Sequence, residues 1–200
     1  RKELNLNNFV DVKNFIKHIS PDYIIHCAGK VGGIAINFDN QFEFFSENFE
    51  IGKNIINASI ENNIPNIINL GSSCMYPTNI LDRKITENDI LKGPLELTNE
   101  GYALAKLAIL KLCEYSNKKN GTHFKTFIPC NLYGPNDKFD LYSSHLIPAI
   151  INKVHDAKEK NNNQIEIWGT GNVRREFMFS EDLADFILYS IKHWKKIPEV

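Results

Sequence analysis

The feature that most narrows the fold is a rhythm in which short runs rich in β-branched residues alternate with long helical stretches. Asp22 to Cys27 (DYIIHC) is followed by glycines, then by a stretch from about Gln41 to Asn62 where Phe45, Phe49, Ile56 and Ile60 recur at helical spacing. Asn66 to Ser72 (NIINLGS) comes next. A stretch from about Asn99 to Lys118 follows, with Leu104, Leu107, Ala108, Lys111 and Leu112 in helical register, and then Lys125 to Asn131 (KTFIPCN). Parallel neighbours need long crossovers, and this order supplies them as stacked βαβ units. The expected class is α/β: a Rossmann-like doubly wound parallel sheet with helices on both faces. Past Pro135 the rhythm weakens. Asp137 to Ser144 reads as loop, His145 to Lys160 as helix, Gln164 to Trp168 as strand, and Ser180 to Trp194 as helix with Ser180 as its N-cap. Residues 1–135 are expected to form the main unit, and 136–200 part of a smaller lobe together with elements that return to the sheet.

Composition excludes several classes of function. Lys plus Arg total 23 against 24 for Asp plus Glu, a net charge of −1, which leaves no broad basic surface for nucleic acid. No apolar run approaches the roughly 18 residues that span a bilayer. Cys27, Cys74, Cys113 and Cys130 are widely spaced, with no C-x-x-C pair or tight Cys/His cluster, so free thiols in a reducing cytoplasm are expected and no metal site is. The chain opens on Arg1 in mid-pattern, and an upstream segment is expected.

Open parallel sheets bind ligands beyond the carboxyl ends of their strands. Those ends read Ala28-Gly29-Lys30-Val31-Gly32-Gly33, Gly71-Ser72-Ser73-Cys74 and Asn131-Leu132-Tyr133-Gly134-Pro135. Small residues there let a ligand approach the backbone. Tyr102 and Lys106 stand four apart in an expected helix, on one face. An ammonium near a phenol favours phenolate and moves its pKa from about 10 towards neutrality, making it a usable proton carrier. Y-x-x-x-K is common by chance; Ser72, at a strand end 30 residues earlier, makes it a set.

Ser72, Tyr102 and Lys106 together resemble the extended short-chain dehydrogenase/reductase superfamily, whose Ser, Tyr and Lys serve a nicotinamide cofactor. Within it, KVGGI (30–34), GSSCMYP (71–77), TNEGYALAK (98–106), NLYGP (131–135), SHLIPA (144–149) and WGTG followed by RREF (168–177) are similar, in order and spacing, to the GDP-L-fucose synthase family. The resemblance implies NADPH-dependent reduction of the C4 ketone of a GDP-4-keto-6-deoxy sugar, with Tyr102 giving the proton, Lys106 binding the nicotinamide ribose and Ser72 polarising the carbonyl. It also implies prior epimerisation at C3 and C5, with Cys74 and His145 as the acid–base pair. Each has a plainer reading, Cys74 as a small buried hydrophobe and His145 as a residue preceding a helix.

By the same resemblance Arg1 meets the adenosine 2′-phosphate of NADP, Asn5 and Leu6 flank the adenine, and Ala28, Gly29, Leu70, Gly71, Pro129, Asn131 and Leu132 line the cofactor, with His145 beside it. The family's Gly-rich phosphate turn is absent and belongs upstream. Lys153, Trp168 and Arg175 correspond to residues that contact the GDP-sugar. Lys153 is a departure, since the family usually has Arg there, and a point charge lacks the bidentate fork. The family also forms homodimers through helices that match 41–62 and 99–118. Three other readings stay open: a reductase only, on a related GDP-4-keto-6-deoxy hexose or heptose; an NAD-dependent nucleotide-sugar 4-epimerase or dehydratase; and a catalytically silent NADP-binding protein.

Overall fold

The computed structural model describes residues 4–80, 83–140, 143–167 and 169–200. Helix α1 (Phe9–Ile19) leads into β1 (Ile24–His26); α2 (Ile34–Asp39) and α3 (Gln41–Glu61) connect it to β2 (Ile67–Leu70). A 3-10 turn at Ser73–Met75 and a long loop precede α4 (Glu100–Asn120), which leads to β3 (Lys125–Phe127). The rest comprises β4 (Asn131–Tyr133), α5 (Leu146–Glu159), β5 (Phe177–Phe179) and α6 (Ser180–Lys192).

The strands β1, β2 and β3 lie in that order and are all parallel, Ile24 opposite Ile67 and Ile68 opposite Lys125. A separate parallel pair joins β4 to β5, with Asn131 opposite Phe177. Successive side chains of β2 serve opposite faces, as the two-residue strand period requires. Ile67 packs with Val12, Ile16, Ile51, Ile55 and Ile109 from α1, α3 and α4, whereas Ile68 packs with Leu183 and Ile187 of α6. Helices thus cover both faces, as the alternating rhythm predicts.

Helix α1 is not among the expected elements, although its signals are local. The Asn8 side chain accepts hydrogen bonds from the backbone N–H groups of Val10 and Asp11, and Val12 and Ile16, four apart, form the buried face. Helices α3 and α4 lie where expected. Gly101 sets their approach at one end, because a Cβ there would stand 2.4 Å from the Gln41 carbonyl oxygen.

Three expectations are corrected. The run 125–131 breaks into two strands around Pro129, which has no N–H to donate to a ladder. Residues 164–167 are irregular and exposed; the partner β4 takes is Phe177–Phe179 instead. The N-cap of α6 is Phe179, Ser180 being its first helical residue, and the helix ends at Lys192 with a 3-10 turn from Trp194. No helix among the described residues is long and apolar enough to cross a membrane.

His26, at the end of β1, is buried, and its Nδ1 has no hydrogen-bond partner among the described residues. Burial, with Lys106 nearby, pushes its pKa from 6.5 to about 3. The unfolded chain takes up this proton first as pH falls, so stability present above 6.5 is lost below it, at up to about 1.4 kcal/mol per pH unit. Denaturant titrations between pH 6.5 and 4.5 should show this slope in the wild type and a flatter one in His26→Gln.

Candidate active site

The ends of β1 and β2 carry a buried lysine. Lys106, on α4, is 7% exposed and donates to the Leu70 carbonyl oxygen at 2.8 Å, pinning the helix to the last residue of β2. Burial brings the ammonium's pKa down from 10.5 to about 8, Cys27 opposing it. One turn back, Tyr102 lays its ring 5.7 Å from the Lys106 Nζ and meets Phe44 of α3 edge-on at 6.4 Å. The Ser72 side chain lies near enough to the Tyr102 hydroxyl to favour its ionised form.

The expected acidification of Tyr102 is not what the structure shows. Burial raises the phenol's pKa, and a charge on Cys74 raises it further; the Ser72 side chain opposes them but does not prevail. The ammonium is directed at the Leu70 carbonyl and lies over the ring. Tyr102 therefore holds its proton at neutral pH, the state a proton donor needs.

Cys74 lies in the turn that begins at Ser72. Its backbone N–H donates to Ser72 Oγ at 3.3 Å, and its sulfur accepts from Asn99 Nδ2 at 3.2 Å. Met75, fully buried, fixes the turn against Leu107 and Leu110 of α4. Ser72, Cys74, Tyr102 and Lys106 are thus one cluster, drawn from two chain segments.

The glycine loop forms the next wall. Asn48 of α3 holds Lys30 at both ends, accepting from its N–H at 2.8 Å and donating to its carbonyl at 3.0 Å, while Asn37 Nδ2 donates to the Gly32 carbonyl at 2.7 Å. A Cβ on Gly29 would lie 3.9 Å from Lys106 Nζ, so this loop borders the ammonium. Gly33 N–H donates to the Ser143 carbonyl at 3.1 Å, and a Cβ on Gly33 would lie 2.9 Å from the Ser144 carbonyl oxygen. His145 follows directly as the exposed N-cap residue of α5, without a side-chain cap bond. Asn37, Asn48 and Asn99 escape a sequence reading because nothing in their local pattern separates them from the chain's many solvated asparagines.

The remaining predicted residues are placed as follows. Ala28 packs at the edge of the main core, Gly71 N–H donates to the Phe127 carbonyl, and Pro129 accepts from Ser73 N–H. Asn131 and Leu132 lie in β4. Asn5 and Leu6 precede α1, where the Leu6 carbonyl accepts from buried Asn54. Lys153, on α5, donates to the Glu166 carbonyl at 2.8 Å, and exposed Arg175 folds onto the Arg174 carbonyl. Neither is in the Tyr102 cluster. Arg1 and Trp168 lie outside the described residues. A separate apolar hollow lies between Tyr133, Phe139, Ile147, Ile151 and Phe179, and Ser72, Tyr102 and Lys106 do not line it.

A dinucleotide fits this setting on two observations. The strand ends that border the buried ammonium are built from Ala28, Gly29, Leu70 and Gly71, with no bulky polar side chain, and Lys106 has donors beyond the one given to Leu70. Donors and small side chains of this kind are what a hydroxyl-bearing ligand would need here.

The model of the NAD dependent epimerase/dehydratase family matches residues 1–200. The chain belongs to that family. A GDP-L-colitose synthase of Yersinia pseudotuberculosis is 51% identical over 199 residues, 99% of this chain and 64% of the relative. A GDP-L-fucose synthase of Azorhizobium caulinodans is 44% identical over 98% of this chain and 62% of the relative. Among solved structures, a GDP-mannoheptose C4 reductase of Campylobacter jejuni with NADP bound superposes with a TM-score of 0.84 at 32% identity, covering 96% of this chain and 65% of that one. The chain therefore spans just under two thirds of the length of these family members.

Gly33→Ala should push the Ser143–His145 segment away from the glycine loop and destabilise the protein by about 1–3 kcal/mol, the usual cost of overpacking. Urea denaturation measures this, and an unchanged midpoint would mean that the close approach is not needed.

Proposed function

We propose that this protein is an NADPH-dependent reductase of the C4 ketone of a GDP-4-keto-6-deoxy sugar that also epimerises C3 and C5. The observation that carries the reading is the single cluster of Ser72, Cys74, Tyr102 and Lys106 at the carboxyl ends of a parallel sheet. The names of the relatives support it, both the synthases of GDP-deoxysugars and the C4 reductase. In this reading residues 1–135 bind NADP and 136–200 contribute part of the substrate lobe. Ala28, Gly29, Leu70, Gly71, Lys106, Pro129, Asn131 and Leu132 hold the cofactor, Arg1, Asn5 and Leu6 receive its adenosine end, and His145 lies near the nicotinamide. Lys153, Trp168 and Arg175 bind the GDP-sugar.

The carbonyl carbon takes the hydride that bound NADPH supplies. Ser72 and Tyr102 both hydrogen-bond the ketone oxygen, and the neutral phenol of Tyr102 gives it a proton as negative charge develops there. The Lys106 ammonium stabilises the phenolate left behind. The ketone acidifies the hydrogens on C3 and C5, and Cys74 and His145 remove and return protons at those carbons. A reductase that leaves C3 and C5 untouched is the second reading, favoured by the likeness to the heptose C4 reductase.

We also infer a cytoplasmic homodimer. Phe42 and Phe45 on α3, with Leu104 and Tyr115 on α4, are exposed apolar side chains on the two helices that would meet a second copy.

With GDP-4-keto-6-deoxymannose the intact protein should consume NADPH, seen as falling nicotinamide absorbance. Tyr102→Phe should slow this by about 10²–10⁴-fold. No consumption by the wild type rejects the proposal, and a Tyr102→Phe variant that matches wild type points to a silent binding protein or another proton source. In deuterated water, Cys74→Ser or His145→Asn should stop label entering C3 or C5 while reduction continues. Wild-type product without label identifies the reductase that does not epimerise.

A further inference from the structure

We propose that Asn99 is a positioning residue for Cys74, released from capping its own helix by Gln41 so that its amide can hold the sulfur. Asn99 is the N-cap residue of α4, where an asparagine ordinarily accepts from the backbone N–H of the second or third helical residue. Here it makes no such bond. The N–H of Gly101 is taken instead by Gln41 Oε1 at 2.7 Å, from the first residue of a different helix, while Gln41 Nε2 donates to the Leu97 carbonyl at 2.6 Å. One glutamine thus caps α4 in trans and braces the turn before it. The missing side chain at Gly101 lets it come that close.

The freed Asn99 side chain turns to the site, its Nδ2 donating to Cys74 Sγ at 3.2 Å. Its Oδ1 is buried and has no partner among the described residues, an arrangement that costs stability unless a ligand donor completes it. Asn99 and Tyr102 stand three apart at the start of α4 and so face the Cys74 turn together. Backbone bonds and buried Met75 already fix where Cys74 sits, which leaves the direction of its sulfur to be set. A donor on the sulfur sets it, by holding one of its lone pairs towards α4. The open Oδ1 is then placed to accept from a hydroxyl of the sugar whose carbon Cys74 serves.

This rests on the reading of Cys74 as a proton carrier, so two measurements are needed. The first is the rate at which iodoacetamide alkylates Cys74 in the intact protein, followed by mass spectrometry with exposed Cys27 as internal reference. Asn99→Asp keeps the shape but replaces the donor with an acceptor, and should slow alkylation of Cys74 at least tenfold with Cys27 unchanged. The second is deuterium entry at C3 and C5, which should lose at least tenfold in kcat with little change in KM, while NADPH still binds as a check on folding. Asn99→Ala, which restores neither cap nor donor and also removes the Oδ1 acceptor, should show the same loss in kcat together with a raised KM. Wild-type exchange with unaltered exchange and alkylation in both variants overturns the role of Asn99 alone. Wild type that takes up no deuterium overturns the epimerase reading, and the alkylation rate then judges the Asn99–Cys74 contact by itself.

Discussion

A buried ammonium bonded to the last carbonyl of the central strand organises this molecule. An ion taken from water needs an acceptor, and Lys106 finds one in Leu70, while burial lowers its pKa to about 8. That bond ties α4 to β2, and because side chains four apart share a helix face, it also brings Tyr102 to the Ser72 turn. The same charge helps keep His26 neutral at the end of the neighbouring strand. Two strand ends and one helix are thereby fixed around a single positive centre.

The protonation of Tyr102 shows why spacing alone does not give chemistry. Tyr and Lys four apart put charge near the phenol, but the magnitude depends on where the ammonium points and how much water is lost. Here the ammonium donates to a backbone carbonyl, and burial dominates the phenol. A proton donor profits from that outcome, since a phenol already ionised at pH 7 would have nothing to give.

The parallel sheet was legible because its signal is carried by many residues at once: three β-rich runs and two long amphipathic stretches, each robust to a few exceptions. Ser72, Tyr102 and Lys106 were legible because each sits where the period of its element puts it. The breaks fall where context outranks local pattern. Pro129 splits one apolar run into two strands, residues 164–167 are strand-like in composition but have no strand beside them among the described residues, and α1 is a short helix whose strongest cues are Asn8 and the pair Val12 and Ile16. Asn48 and Asn99 were invisible for a deeper reason. Their partners, Lys30 and Cys74, lie 18 and 25 residues away, and no local rule joins them.

The two proposed proton carriers are held by very different means, and this divides the site into a fixed part and a carried part. Cys74 is set by backbone and side-chain hydrogen bonds and by the packing of Met75 into a core shared with α4. His145 is exposed at the start of α5, and what joins its segment to the glycine loop is the Gly33–Ser143 bond together with a fit that leaves no room for a Cβ. The glycine loop is in turn clamped by Asn37 and Asn48. The distance between the two carriers therefore depends on α2 and α3, elements that contain neither. A change in α2 or α3 would thus alter the spacing of the proposed carriers without touching either residue.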